Sequence, residues 1–247
     1  MRGLTSKNGN EMSRGTEMSL EQCQGKEFQA IFRKVFRVIS MQFANPNIKG
    51  IKGFIFYGET GVGKTLMAKM IAQQLSVPLL FVDSMTIARK HYGDSEKIVA
   101  KFFEEATHNK AILLFDDVEA LFIDRTKQSS EGWNASMNNV LFHQLDLLDT
   151  SKCAVIMTTN LVNFLDKALR DRLYPIHFPV PTLDTLLAVA QQKCEELQID
   201  SEGIEETIRS SPDRFQSIRA IEMLAFEQYI AQIEIRALDH IGNVTLV

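Results

Sequence analysis

The stretch GFIFYGETGVGKTLMAKM, residues 53–70, limits what this chain can fold into more than any other. Its first five residues read as a short strand covered on both faces, the kind found in parallel sheets flanked by helices. The strand passes into GETGVGKT, Gly58 to Thr65, which satisfies G-x-x-x-x-G-K-[ST] between a strand and a helix. Gly61 and Gly63 let the backbone curl so that its N–H groups converge on phosphate oxygens, and the helix behind them adds its positive N-terminus. Lys64 supplies a point charge for β- and γ-phosphates, and Thr65 offers a hydroxyl to Mg²⁺. The alternative, a merely glycine-rich turn, would not need a strand before it and a helix after it. Gly58, Thr60, Gly61, Val62, Gly63, Lys64, Thr65 and Leu66 are therefore the candidate nucleotide-binding residues. Leu66 also joins Met67, Met70, Ile71 and Leu75 in the apolar pattern of the helix.

A second stretch, AILLFDDVEALF at 111–122, runs five apolar residues into the adjacent carboxylates of Asp116 and Asp117. Acids at the carboxyl end of a buried strand lie on the rim where α/β proteins bind ligands. Asp also favours helix starts, so a helix opening at DVEALF is the competing explanation. The phosphate cradle favours the first reading. A Mg²⁺ held by Thr65 needs a carboxylate from a neighbouring strand end, which Asp116 supplies, and Asp117 stands where it would orient or deprotonate a water.

Further apolar runs at 79–82, 154–158 and 176–178 alternate with helix-length segments, which is the rhythm of a doubly wound parallel sheet. Before the sheet, residues 26–44 show one apolar face with Arg33, Lys34 and Arg37 opposite. After PVPT at 179–182 the strand signals stop, and Leu183 to about Arg236 reads as three or four helices broken near 200–202 and 211–212. The expected organisation is a mobile tail over 1–25, an α/β unit over 26–181 and a small helical lid over 182–247.

A net charge of -4 argues against a surface built for a nucleic-acid backbone, so any polyanion must be met by a few placed cations. The three cysteines show no metal-ligand spacing and read as small packing residues in a reducing compartment. With no stretch as long as a membrane span and no apolar core of a signal peptide, a cytoplasmic protein is expected. The histidines form no cluster and no H-E-x-x-H occurs, which excludes a fused metalloprotease of that type.

Over residues 28 to 236 the chain resembles the AAA+ ATPases, and within them the AAA family of ring-forming protein remodelers and AAA proteases. The segments KGFIFYGETGVGKTLMAKMIA and FDDVEALF are similar to that family's Walker A and Walker B, with Asp117 where the second acid is usually Glu. MTTN, ending in Asn160, resembles sensor 1, a polar side chain that helps position the attacking water. LDKALRDRL resembles the segment bearing arginine fingers, which makes Arg170 and Arg172 the candidates for reaching a neighbouring subunit's γ-phosphate; Asp171 separates arginines that are often contiguous. ARKHYGDSEKIVAKFFEEA resembles the pore loop and its helix. Lys90, His91, Tyr92 and Gly93 take the places that grip an extended polypeptide, with His91 where an aromatic is usual. Without that resemblance, Tyr92 reads as a residue packing locally on an exposed loop. Arg219 matches a sensor 2 cation or, equally, a plain surface arginine.

The resemblance implies an ATP- and Mg²⁺-dependent ATPase assembling into a homo-oligomeric ring, hexameric by that likeness, which remodels or threads a protein substrate. Two other readings stay open. One is a DNA-associated relative of clamp or helicase loaders, against which the acidic charge and the pore-loop residues count. The other is a nucleotide-gated scaffold with slow turnover, suggested by Asp117.

Overall fold

The computed structural model describes residues 25–48, 50–84, 87, 94–119, 130–165 and 167–242. The expected tail up to residue 24 and the candidate grip Lys90, His91, Tyr92 and Gly93 lie outside them. The apolar runs form the strands β1 Gly53–Tyr57, β2 Leu79–Asp83, β3 Ala111–Asp116, β4 Cys153–Thr159 and β5 Tyr174–His177. All four pairings are parallel, in the order β2-β3-β4-β1-β5. The doubly wound parallel sheet expected from the sequence is the sheet observed. The one shifted strand is β5, which starts at Tyr174 and not at Ile176. Pro175 argues against a strand in sequence, yet β5 pairs only with β1, and an edge strand tolerates a missing ladder N–H.

Alternation along the strands loads both faces of the sheet. Ile55, Leu113, Phe115, Val155 and Met157 face α3 Asp94–Asn109 and α4 Ser130–Leu147, meeting Phe103, Leu141 and Leu145. Phe54, Phe56, Ile112, Leu114 and Ile156 face α1 Lys26–Ala44 and α2 Lys64–Leu75, meeting Phe32, Ile39, Met67 and Ile71. Burial of β3 and β4 on both sides is why they carry no alternation of polarity in sequence. Cys153 joins the first of these cores, and burial pushes its thiol up to about 12.

After α5 Lys167–Arg172 and β5 come α6 Leu183–Leu197, α7 Glu202–Ser210 and α8 Ile218–Gly242, with a 3-10 turn at Pro212–Arg214. The Thr182 side chain accepts the Thr185 N–H at 3.3 Å and caps α6. Leu186, Ala190, Cys194, Ile204, Ile208, Phe215, Ile221 and Ala225 make a third core that belongs to these helices alone. The breaks fall where the sequence placed them, but α8 runs on past Arg236 to Gly242. Among the described residues, no helix is long and apolar enough to cross a membrane.

Phe103 is 2% exposed and its ring lies 5.9 Å from that of Phe115. Phe103→Ala should cost about 3–5 kcal/mol, the usual loss for emptying an aromatic site in a packed core. Urea denaturation followed by circular dichroism measures it, and a loss under about 1 kcal/mol would contradict this packing.

Candidate functional site

The parallel register brings the carboxyl ends of β1, β3 and β4 side by side, so the glycine loop, the paired acids and Asn160 open onto one rim. They share a cavity of about 420 Å³, walled by Lys64, Thr65, Asp116, Asp117 and Asn160 on the sheet side and by Ile218, Arg219 and Glu222 from α8. Thr60, Gly61, Gly63 and Leu66 complete its floor, with Lys69 beside them. Of the loop candidates, Gly58 and Val62 do not line this cavity. A Cβ on Gly58 would stand 2.3 Å from the Phe178 carbonyl, so Gly58 lets β1 and the segment after β5 close up. Val62 is buried in the core beside Phe28 and Phe178.

Gly63 has φ 96° and precedes α2 without any side-chain cap, and the first turn of α2 has no acid. Its first N–H groups are therefore left to an external acceptor. Gly61 is as strictly required. It has φ 82°, a Cβ there would lie 3.0 Å from the Ser217 side chain, and its carbonyl accepts the Ile218 N–H at 3.1 Å. That contact lays the start of α8 on the glycine loop, which is how Arg219 reaches the cavity.

Lys64 is 6% exposed, and its Nζ donates to the carbonyls of Gly58 at 2.9 Å and Glu59 at 2.8 Å and to Asn160 Oδ1 at 2.7 Å. Burial lowers its pKa, while the charges of Asp117, Glu119, Asp116 and Glu59 act to keep it protonated. Asp116 Oδ1 accepts from Thr65 Oγ1 at 2.7 Å and from Thr158 Oγ1 at 2.6 Å. Asp117 has φ 48°, a left-handed backbone that Asp and Asn adopt more readily than other side chains. Its N–H donates to Thr158 Oγ1 at 3.0 Å, and Val118 N–H donates to the Thr158 carbonyl. This is not the extended backbone usual for an N-cap. Although Asp117 is exposed as a residue, partial burial of its carboxyl raises its pKa, the charges of Asp116 and Glu119 add to this, and Lys64 and Arg219 oppose it.

Two functional positions were missed in the sequence. Thr158 holds Asp116 and Asp117 together and is 1% exposed, but it reads in sequence as one more strand residue. Glu119 Oε1 accepts from both the backbone N–H and Nδ2 of Asn160, each at 3.1 Å, which fixes the amide with its oxygen toward Lys64. The signal for Glu119 was its place three residues after Asp116.

The structure does not bring Arg170 or Arg172 to the cavity. Arg172 makes a bidentate pair with Asp146, Nε and Nη2 each 3.1 Å from its carboxylate oxygens, and its guanidinium lies 4.7 Å from the Phe142 ring. Hydrogen bonds from Arg172 and then Lys52 hold the Asp146 carboxyl down at about 2. Arg170 is half-buried with Nε lacking an acceptor among the described residues. No group of three or more His, Cys, Asp or Glu that could hold a metal occurs among the described residues, so Mg²⁺ would rest on Thr65, Asp116 and the nucleotide itself.

Residues 54–180 match the model of the ATPase family associated with various cellular activities (AAA). The chain is 33% identical over 176 residues to a 26S proteasome regulatory subunit 4 homolog of Dictyostelium discoideum, covering 67% of this chain and 40% of that protein. It is 29% identical over 149 residues to the ATPase family gene 2 protein of Schizosaccharomyces pombe, covering 58% of this chain and 18% of that one. The chain thus spans less than half the length of these curated relatives. Its fold is similar to that of the FIGL-1 AAA domain, crystallised in complex with ADP, with a TM-score of 0.71 at 19% identity over 89% of this chain and 75% of the other.

Thr158→Val keeps the shape of the side chain and removes the hydroxyl that serves both acids. It should cost about 1–3 kcal/mol, because the Asp117 N–H loses its acceptor and Asp116 one of its donors. Chemical denaturation checks this, and an unchanged midpoint would mean that the acidic turn is held by something else.

Proposed function

From the premise that the chain belongs to the AAA family of ATPases, we propose that it binds ATP with Mg²⁺ and hydrolyses it to ADP and phosphate. The observation carrying this is one cavity with an uncapped helix N-terminus and Lys64 on one side and the Thr65–Asp116 pair on the other. The two sides match the two charges of a metal-bound polyphosphate. Helix N–H groups and an ammonium suit its oxygens, and a hydroxyl and a carboxylate suit its cation. When bound, Mg²⁺ supplies charge neutralisation across the phosphates.

In this reading, Gly61, Gly63, Lys64 and Thr65 hold the phosphates, and Arg219 closes over them from α8. Asp117 orients the attacking water and takes its proton. Asn160, fixed by Glu119, lies beside Lys64 where it can hold the same water. Such a site works mainly by positioning, so a misplacement on the order of 1 Å costs about a hundredfold. Asp117 is one methylene shorter than a glutamate, and turnover is therefore slow. Arg170 and Arg172 would act in trans, which requires a ring; Arg172 must first leave Asp146. The ring remodels or threads a protein substrate, with Lys90, His91, Tyr92 and Gly93 as the residues that would grip it.

Lys64→Ala should raise the dissociation constant for a fluorescent ATP analogue at least a hundredfold, since it removes a charge-assisted contact from a buried position. Wild-type affinity in that variant would refute the phosphate assignment. Asp117→Asn tolerates the same left-handed backbone, so it should bind ATP normally and release phosphate at least a hundredfold more slowly. In the wild type, hydrolysis should fall as acidification protonates Asp117 at a pH above the ordinary aspartate range, because its pKa is raised. An acidic limb unchanged in Asp117→Asn would assign the proton transfer to another group.

A further inference from the structure

At the end of the sheet opposite the cavity, Asp146 gathers two cations. It stands in the last turn of α4, where a negative charge opposes the helix dipole, and that turn carries no basic residue to offset it. What holds the acid there comes from other elements. Lys52, the residue before β1, donates from Nζ to Asp146 Oδ1 at 2.9 Å. Arg172, the last residue of α5, spans both carboxylate oxygens, with Nε 3.1 Å from Oδ1 and Nη2 3.1 Å from Oδ2. Three charge-assisted hydrogen bonds thus converge on one carboxylate, and with its pKa held down at about 2 the acid stays ionised at any working pH.

The contact uses the edge of Arg172 that a phosphate would use. Nε and Nη2 form the planar fork that matches two oxygens of a carboxylate or a phosphate, and here the fork is filled. Nη1 donates to the Ala168 carbonyl at 3.1 Å, and the guanidinium carbon lies 4.7 Å from the centre of the Phe142 ring. Every nitrogen of Arg172 therefore has an acceptor inside its own chain. The hold is nonetheless weak, because the Arg172 and Asp146 side chains are 30 and 50% exposed and ion pairs this open to water contribute little. Lys52 reduces the cost of release further. It remains as a counter-charge when the arginine swings away, so the carboxylate is not stripped of every partner.

We propose that Asp146 is an autoinhibitory clamp that withholds Arg172 from a neighbouring copy, with Lys52 as the partner that keeps the acid on release. This rests on the reading above in which Arg172 acts in trans. A phosphate oxygen of the neighbour's nucleotide competes with Asp146 for the same fork, so the exchange is of one anion for another across the same two nitrogens. A copy without a neighbour keeps its arginine folded away. Asp146 does not line the cavity, so it acts through Arg172 as a positioning residue, and the weaker its hold, the larger the fraction of copies whose arginine is available.

The test is steady-state phosphate release by the full chain at saturating ATP and Mg²⁺ over a range of protein concentrations, with nucleotide affinity and melting temperature measured in parallel. Asp146→Asn and Asp146→Ala should each raise kcat roughly two- to fivefold, the range expected for an exposed pair, with the dissociation constant for ATP unchanged. Asp146→Glu, which keeps the charge, should stay near wild type. Lys52→Gln should lower kcat about twofold, because the acid is then left to the arginine alone, and should have no effect in the Asp146→Asn background. A structural role could neither raise turnover nor give opposite signs on the two sides of one carboxylate. Mixed one to one with Arg172→Ala, the double variant Lys64→Ala/Asp146→Asn should restore more activity than Lys64→Ala does, since the working cavity and the arginine then lie on different copies. Asp146→Asn hydrolysing ATP at or below the wild-type rate, while Arg172→Ala is impaired, would overturn the clamp and leave the trans reading standing. Full activity of Arg172→Ala would instead remove the trans reading, and the clamp with it.

Discussion

One carboxylate oxygen, Asp116 Oδ1, joins two strand ends and one helix start at the candidate site. It accepts from Thr158 at the end of β4 and from Thr65 in the first turn of α2, and it belongs itself to the last residue of β3. Each hydrogen bond to a charged group contributes about 1.5–3 kcal/mol and is directional, so together they orient the start of α2 relative to the acids. The same Thr158 hydroxyl takes the Asp117 N–H and turns the chain into its left-handed step. Without this junction, the paired acids and the loop would be neighbours only by topology.

Around the junction, opposite charges face one another. Lys64 is buried enough to lose affinity for its proton, yet four acids surround it and three acceptors hold its ammonium. Asp117 is pushed the other way by burial and by the acids beside it, with Lys64 and Arg219 opposing. A polyphosphate entering here would exchange the carbonyl and amide partners of Lys64 for its own oxygens, leaving Asn160 with Glu119. Lys64 and Asn160 are thus held in place before any ligand enters, which is what preorganisation means in a site that acts by position.

Arg172 shows how context overrides a motif. Its segment resembles one that reaches across to another subunit, but in the single chain its guanidinium is spoken for by Asp146 and rests on Phe142. A bidentate pair that is partly open to water is weak enough to be exchanged for a phosphate oxygen of a neighbour.

The sequence by itself determined the elements and much of the site. Apolar runs of three to five residues set the strands, and GETGVGKT, Asp116 and Asn160 stand at strand ends whose positions the pattern implies, while Arg219 was equally open to reading as a plain surface arginine. What it could not determine depends on contacts that span from 26 residues, Asp146 with Arg172, to 157, Gly61 with Ile218. Thr158 as the clamp of the acids, Glu119 as the anchor of Asn160, Asp146 as the partner of Arg172, and Gly61 as the seat of α8 all arise from register and packing. Nor could it show that residue 117 takes a positive φ beside the Thr158 hydroxyl, which leaves no mark in composition or period. Local patterns record what a residue is buried in. Only the tertiary structure decides which partner it is buried against.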